Sequence, residues 1–593
     1  MTGVLELAKA GALAGCVTVF LALVGLTDRF ADLYFLGDQA SFGRLVLFIA
    51  PFAVGAFLAA PKVVGGEPRA TTMAQAVRGG FLAGVTGGVV FGAFVLFVDA
   101  FGVERIRNVF VNVTPAMMEF VTFGQTVEVG IAILVVGSAV AGVLGGAYRV
   151  LPDPVRKPLG SAVVSVLVLG FLQRIVPVML DQLDIDNDWL YSRADGGLTY
   201  PGALIVALVA AGLSILKFRK GAEIRQRLAP RGTDDAGISP LRVAVLLVLL
   251  AILIAVPHLT GKVISEVLGT VLIFALLGLG LNIVVGYAGL LDLGYVFFFA
   301  VGAYTTALLT GATVNAFTGS VPPVVGADLN FYLAIPIVML IAAGAGVLIG
   351  APVLRLRGDY LALVTLGLGE MITVLIASPW LEPLVGGPSG MRGISNAAVF
   401  GFGFRDPQHF YYLALAFVVL AMFVSWRLAA SRIGRAWTAM REDEQIADAM
   451  GVSTTRYKLL AFAIGGAIGS LGGALFAVKI GSLTPASFSV FVSIQVLGIV
   501  ILGGLGSLPG VITGALVLVG LPGLLREFEE YRLLFYGAAL VLVMILRPQG
   551  LVPNVRRSRE LHEEDTEQDK WAGELASDER AVAAISPEGE GAG

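Results

Sequence analysis

The sequence predicts an all-α polytopic membrane protein of about 16 transmembrane helices, one for each run of about 20 apolar residues. Two further observations point the same way. Of 593 residues, 57% are hydrophobic and 14% charged, against about a quarter charged in soluble globular chains. Glycine supplies 76 residues, and its lack of a side chain lets membrane helices approach closely.

Composition also excludes several functions. The formal net charge is -3, but from Gln549 on 5 basic residues face 11 acidic ones, so the preceding chain carries +3. That balance does not suit nucleic-acid binding, and the acidic end reads as solvated tail. His258, His409 and His562 are too scattered for a metal site, and Cys16, the one cysteine, cannot form an internal disulfide. The phosphate loop GxxxxGK[ST] is absent, because Gly261-Lys262 lacks both the earlier glycine and the Ser/Thr. Any ATP that drives this chain is bound by another one, and the chain performs no covalent chemistry.

Taken in order, an N-terminal membrane unit at 1–217 offers about six spans, at 10–26, 45–61, 79–101, 127–148, 159–180 and 201–217. Leu13 to Cys16 resembles a lipoprotein cleavage box. Glu6 and Lys9 interrupt what precedes it, however, and the main apolar run follows Cys16, so a first membrane helix is expected. The polar stretch 218–240 reads as a cytoplasmic linker. About ten more spans follow within 241–547, at 241–257, 263–286, 294–311, 331–353, 359–378, 410–428, 458–478, 488–502, 510–525 and 531–546. The acidic tail is 548–593.

Loop charge sets the orientation. Lys62, Arg69 and Arg78, then Arg149, Arg156 and Lys157, then the cations from Lys217 to Arg231 fall on alternate loops, with acid at 181–195 opposite them. The positive-inside rule puts both termini and the loop 427–458 in the cytoplasm, and the loop 379–408 outside.

Two stretches organise the rest. In SRIGRAWTAMREDEQIADAMGVSTTRYK, starting at Ser431, the acids Glu442, Asp443 and Glu444 fall where a helix starts and Gly451 where it stops. Ile446, Ala447 and Met450 are expected on one face, and Ser453, Thr454 or Thr455 as the next cap. Such a helix is either a handle for a partner or an ordinary loop helix. In GLGLNIVVGYAGLLDLGY, starting at Gly278, five glycines with Asn282 and Asp292 are poor helix material. Either the backbone unwinds to hold a solute, with Asn282, Tyr287 and Tyr295 beside it, or the glycines serve tight packing. The stretch LNIVVGYAGLLDLG from Leu281 weakly matches LGIVILGGLGSLPG from Leu497, by internal repeat or by the monotony of glycine-rich apolar sequence.

Ionisable groups in or near spans mark function by default: Asp292, Glu370, Glu266 and Arg174, with Glu370 near mid-span beside Gly367 and Gly369; for Glu266 and Asp292, near span ends, the alternative is a merely wet position. In the outer loop GGPSGMRGI, Arg392 either docks a partner through charge, with Lys479 and Arg405, or lies in a solvated turn.

The segments GRAWTAMREDEQIADAMGVSTTRYKLLAFAIGGAIGSLGGALFA, GLNIVVGYAGLLDLGY, GDYLALVTLGLGEM, GGPSGMRGI, ILGGLGSLPGVITGA and LRPQGL occur in the order seen in LivM-type permeases of branched-chain amino acid ABC transporters. The resemblance covers about 241–552 and leaves the first 240 or so residues unmatched. It implies a ten-helix ABC importer permease core preceded by a multi-span extension, lying in the inner (cytoplasmic) membrane. It implies partners as well: a second, LivH-like permease, two cytoplasmic ATPase subunits that bind the ATP, and an extracytoplasmic solute-binding protein. The cargo it implies is branched-chain amino acids, with urea or short amides next. It assigns ATPase coupling to Arg435, Arg441, Glu444, Ala447 and Gly451. With that reading, the residues themselves put the solute pathway at Asn282, Gly286, Tyr287, Gly289, Tyr295 and Glu370, and binding-protein docking at Gly387, Arg392 and Lys479. A carrier driven by an ion gradient, with Glu370 or Asp292 as coupling acid, is the rival class. A channel is less suited, because no filter-like sequence is present.

Overall fold

In the computed structural model the apolar runs become helices. It describes residues 2–37, 40–59, 62–64, 67–69, 72–173, 176–182, 185–192, 196–228, 240–310, 313–314, 329–353, 359–395, 397–399, 402–524, 536–537, 540–541, 547 and 549–552. Among these, nine helices are long and apolar enough to cross a membrane, and five more are apolar but shorter. Each coincides with an expected span. Of the other two expected spans, 241–257 is the first limb of a kinked helix, and 531–546 lies almost wholly outside the described residues, as do Arg174 and most of the tail.

The chain divides into two compact units, Met1–Val243 and Ala244–Gly593. The principal helices of the first are α1 (Thr2–Leu23), α2 (Phe42–Leu58), α3 (Met73–Phe101), α4 (Val127–Val150), α5 (Asp153–Phe171) and α6 (Tyr200–Leu228). A capping box starts α3, with the Thr72 hydroxyl accepting from Gln75 N and Gln75 Oε1 accepting from Thr72 N. The fifth expected span, 159–180, is broken: α5 ends at Phe171 and a separate helix runs Val176–Gln182. In turn, α6 continues helically to Leu228, beyond the expected end of its span.

Glycine decides how α3 and α4 meet. A Cβ placed on Gly142 would overlap the carbonyl oxygen of Gly80, and one on Gly84 would overlap that of Ser138. The two backbones are in direct contact, which gives dispersion energy that side chains would forbid. Gly142→Leu should therefore cost about 3 kcal/mol or more, the scale of severe overpacking, read as a lowered thermal midpoint of the detergent-purified chain. An unchanged midpoint would mean that this contact does not hold the unit together.

The second unit comprises α7 (Pro240–Leu281), α8 (Val296–Leu309), α9 (Phe331–Val353), α10 (Asp359–Ile376), α11 (Pro407–Ala429), α12 (Arg432–Glu442), α13 (Glu444–Ala449), α14 (Thr454–Ile480), α15 (Val490–Gly503) and α16 (Leu508–Ala515). Helix α7 is two helices joined at Gly261, whose φ of 73° and ψ of -173° are not helical. At its centre is α14, buried on nearly every side from Ala461 to Val478, so it is apolar all round instead of amphipathic. It packs against α8 and α9. At its C-terminal end, β1 (Thr313–Val314), β2 (Met391–Arg392) and β3 (Ser482–Leu483) form an antiparallel sheet in the order β1-β2-β3. Its N-terminal end carries α12 and α13.

Candidate transport pathway and coupling surface

The glycine-rich stretch after α7 is where helix geometry fails. At Asn282 the chain widens into a π turn, Asn282–Tyr287, and leaves the helix at Ala288. It regains helix only at Val296, the start of α8. Gly289 takes a φ of 71°, a left-handed conformation that a side chain disfavours. The unwound backbone lies inside protein, as bilayer-depth irregularity requires, and side chains satisfy it. Leu293 N donates to Thr365 Oγ1 at 3.0 Å, Gly294 N to Asp292 Oδ1 at 2.8 Å, and Val296 N to Ser493 Oγ at 2.8 Å. Asp292 is 2% exposed, so it is not a wet residue at a span end but a buried cap for this turn.

The sequence-predicted pathway residues do not all converge. Tyr295 is fully buried and its hydroxyl donates to Gly465 O on α14 at 2.7 Å. Asn282 is fully buried as well; its Oδ1 accepts from Gly506 N at 2.9 Å, while its Nδ2 is a buried donor with no partner. Tyr287 is half-buried and packs on the core, and Gly286 lies in the π turn. Glu370, on α10, is exposed instead of joining this group. Sequence reasoning missed Thr365 and Ser493, hydroxyls on other helices with no local motif to mark them.

The charged loop forms two helices, not one. Ser431 caps α12, accepting from Ile433 N and Gly434 N. Asp443 breaks it and caps α13, accepting from Gln445 N and Ile446 N at 2.8 and 2.9 Å. Gly451 then ends it with a φ of 88°. Trp437 is fully buried and its indole N–H donates to Tyr457 O at 2.8 Å, seating α12 against α14. Glu444 accepts from Lys458 Nζ at 2.6 Å, with the lysine side chain only 6% exposed.

Residues assigned to coupling face different ways. Arg435 is exposed. Arg441 turns inward and its Nη1 donates to Gly286 O at 2.6 Å, joining the two organising stretches. Ala447 is buried, while Ile446 and Met450 are 63% and 80% exposed. The three do not share a face, because α13 seats Ala447 on its own chain and turns the larger pair outward.

At the opposite end of α14, Arg392 on β2 and Arg405 are exposed, whereas Gly387 is buried with a φ of 52°. Lys479 is not a surface cation. Its side chain is 7% exposed, it pairs with Glu266 Oε1 at 3.2 Å and donates to Glu266 O at 2.8 Å, and it lies over the Phe410 ring. Among the described residues, no group of three His, Cys, Asp or Glu could hold a metal.

Apolar helices in two compact units, one interrupted inside its bundle, define an all-α polytopic membrane protein. The family described as branched-chain amino acid transport system / permease component matches residues 263–544. The chain is 42% identical over 334 residues to the high-affinity branched-chain amino acid transport system permease protein LivM of Escherichia coli K12 and to that of Salmonella typhimurium, covering 52% of this chain and 75% of each relative. The probable LivM of Methanocaldococcus jannaschii is 26% identical over 325 residues, covering 47% of this chain and 90% of that one. The chain belongs to the LivM-type branched-chain permease family. A shorter match, 31% over 140 residues, is to the E. coli K12 permease protein LivH, covering 23% of this chain and 44% of the relative. No solved structure matches.

Proposed function

We propose that this chain forms one half of the pathway of an ATP-driven importer of branched-chain amino acids in the inner membrane. The supporting observation is the 42% identity to permeases whose names specify that cargo, over the unit that carries the broken helix and the α12–α13 pair. A LivH-like chain supplies the other half, two ATPase subunits seat on the exposed face of α13, and a solute-binding protein delivers cargo near Arg392. Both chain termini and the 218–240 linker lie in the cytoplasm by loop charge. Because the sequence lacks a phosphate loop, nucleotide acts from outside this chain, moving α13 and with it the access of the pathway to either side.

The test is leucine uptake into proteoliposomes holding this chain co-expressed with the ATPase, permease and binding-protein chains of its gene neighbourhood. Uptake should require ATP on the α13 side and be competed by isoleucine and valine. Uptake driven by a proton or sodium gradient without ATP would establish the carrier reading instead, and competition by urea alone would reassign the cargo.

A further inference from the structure

We propose that Arg441 is the positioning residue through which movement of α12 and α13 reaches the broken pathway segment, by holding the carbonyl oxygen of Gly286. The assignment rests on the importer reading and gives it a specific bond.

Arg441 closes α12, yet it does not belong to the face open to partners. Its Nη1 donates to Gly286 O at 2.6 Å across 155 residues of sequence, a cation-to-carbonyl bond stronger than a neutral one. Its side-chain stem lies across Gly289, where a Cβ would come 2.8 Å from Arg441 Cγ. Ile446 and Met450, by contrast, are exposed on α13. A partner pressing on that pair displaces α12 as well, because Asp443 N bonds Ala439 O at 3.2 Å and Ala447 N bonds Asp443 O at 3.0 Å across the joint.

What Arg441 holds is a segment with more than one way to pack. Gly286 lies in the π turn, which carries one residue more per turn than an α-helix and so can shift its hydrogen-bond register. The same turn grips a second break. Asn282 Oδ1 accepts from Gly506 N, and a Cβ on Gly286 would come 2.7 Å from that nitrogen. The matching stretches that begin at Leu281 and Leu497 leave the helix at the same aligned place, with Ala288 and Gly504 as the two caps. The two breaks therefore meet and are clasped from one side by Arg441. Asn282 Nδ2, buried without a partner, leaves this arrangement short of one hydrogen bond. That shortfall narrows the free-energy gap to any rearrangement that pairs it.

The test compares wild type, Arg441→Ala and Arg441→Lys in the full complex in proteoliposomes, reading leucine moved per ATP hydrolysed and ATPase subunits retained on purification. Arg441→Ala should keep its ATPase subunits and hydrolyse ATP while leucine per ATP falls about ten-fold, the scale of a typical coupling free energy. Arg441→Lys, which keeps a charged donor, should recover most of the loss. A second readout is hydrogen exchange of Ala288 and Leu290, whose amides bond Ile283 O and Val284 O. A non-hydrolysable ATP analogue should change their protection in wild type and leave it unchanged in Arg441→Ala. Unaltered leucine per ATP in Arg441→Ala overturns the proposal, as does loss of the ATPase subunits in parallel, which would make Arg441 a docking residue. If Arg441→Ala does not assemble, unchanged protection of these amides in wild type overturns it. Wild-type uptake that needs no ATP removes the importer reading itself, and this proposal with it.

Discussion

Replacing Trp437 by alanine should cost about 3 to 5 kcal/mol, the range for emptying a fully buried aromatic site. Its ring is wholly enclosed and its indole N–H donates to Tyr457 O at 2.8 Å, so truncation leaves a cavity and removes a hydrogen bond. Gly434, Ala436 and Met440 are the other buried positions of α12, and none offers comparable area. The helix should therefore lift from α14 and take α13 with it. A lowered thermal midpoint and loss of co-purifying ATPase should appear together. Trp437→Phe keeps most of the packing and gives up the hydrogen bond, so about 1 kcal/mol is expected. If the alanine variant melts normally and keeps its partners, α12 is not seated by this indole.

The second large effect concerns the ion pair beneath α13. Removing one partner of a buried pair costs about 3 to 5 kcal/mol when the charge left behind has no water. The two partners differ in this respect: the Lys458 side chain is 6% exposed and that of Glu444 29%. Glu444→Ala should accordingly be the severe variant and Lys458→Met the mild one. The double variant, with no stranded cation, should regain most of the lost stability, and the stabilities of wild type and the three variants form a double-mutant cycle. Equal losses in both single variants would mean that the pair is bathed in water. Leucine uptake should follow the same ranking.

Much of the fold was legible because a membrane span announces itself by length and apolarity, and glycine or proline marks where it fails. The break in α7 falls between Pro257 and Val263, where the boundary was drawn from sequence. Asp443, Glu444 and Gly451 likewise marked the ends of α13, since caps act within one turn. What escaped was long-range. Nothing near Lys479 tells that Glu266, 213 residues away, will take it out of water, nor does any local pattern send Arg441 to Gly286. In a helix as short as α13, periodicity could not say whether Ala447 or its larger neighbours face inward. The interruption between Phe171 and Val176 was hidden because Leu172-Gln173-Arg174-Ile175 carries no glycine or proline to mark it.

The residues that follow Arg547 bear on how the chain can be shortened. Leu551 N and Val552 N donate to Leu502 O and Gly503 O at 2.8 and 3.0 Å, supplying partners for carbonyls left open where α15 ends. A stop codon placed after Val552 would discard the acidic extension and leave those bonds in place. One placed at Gln549 would strip them from the joint that Asn282 and Gly506 also share, so affinity handles and fluorescent reporters are best attached beyond that point.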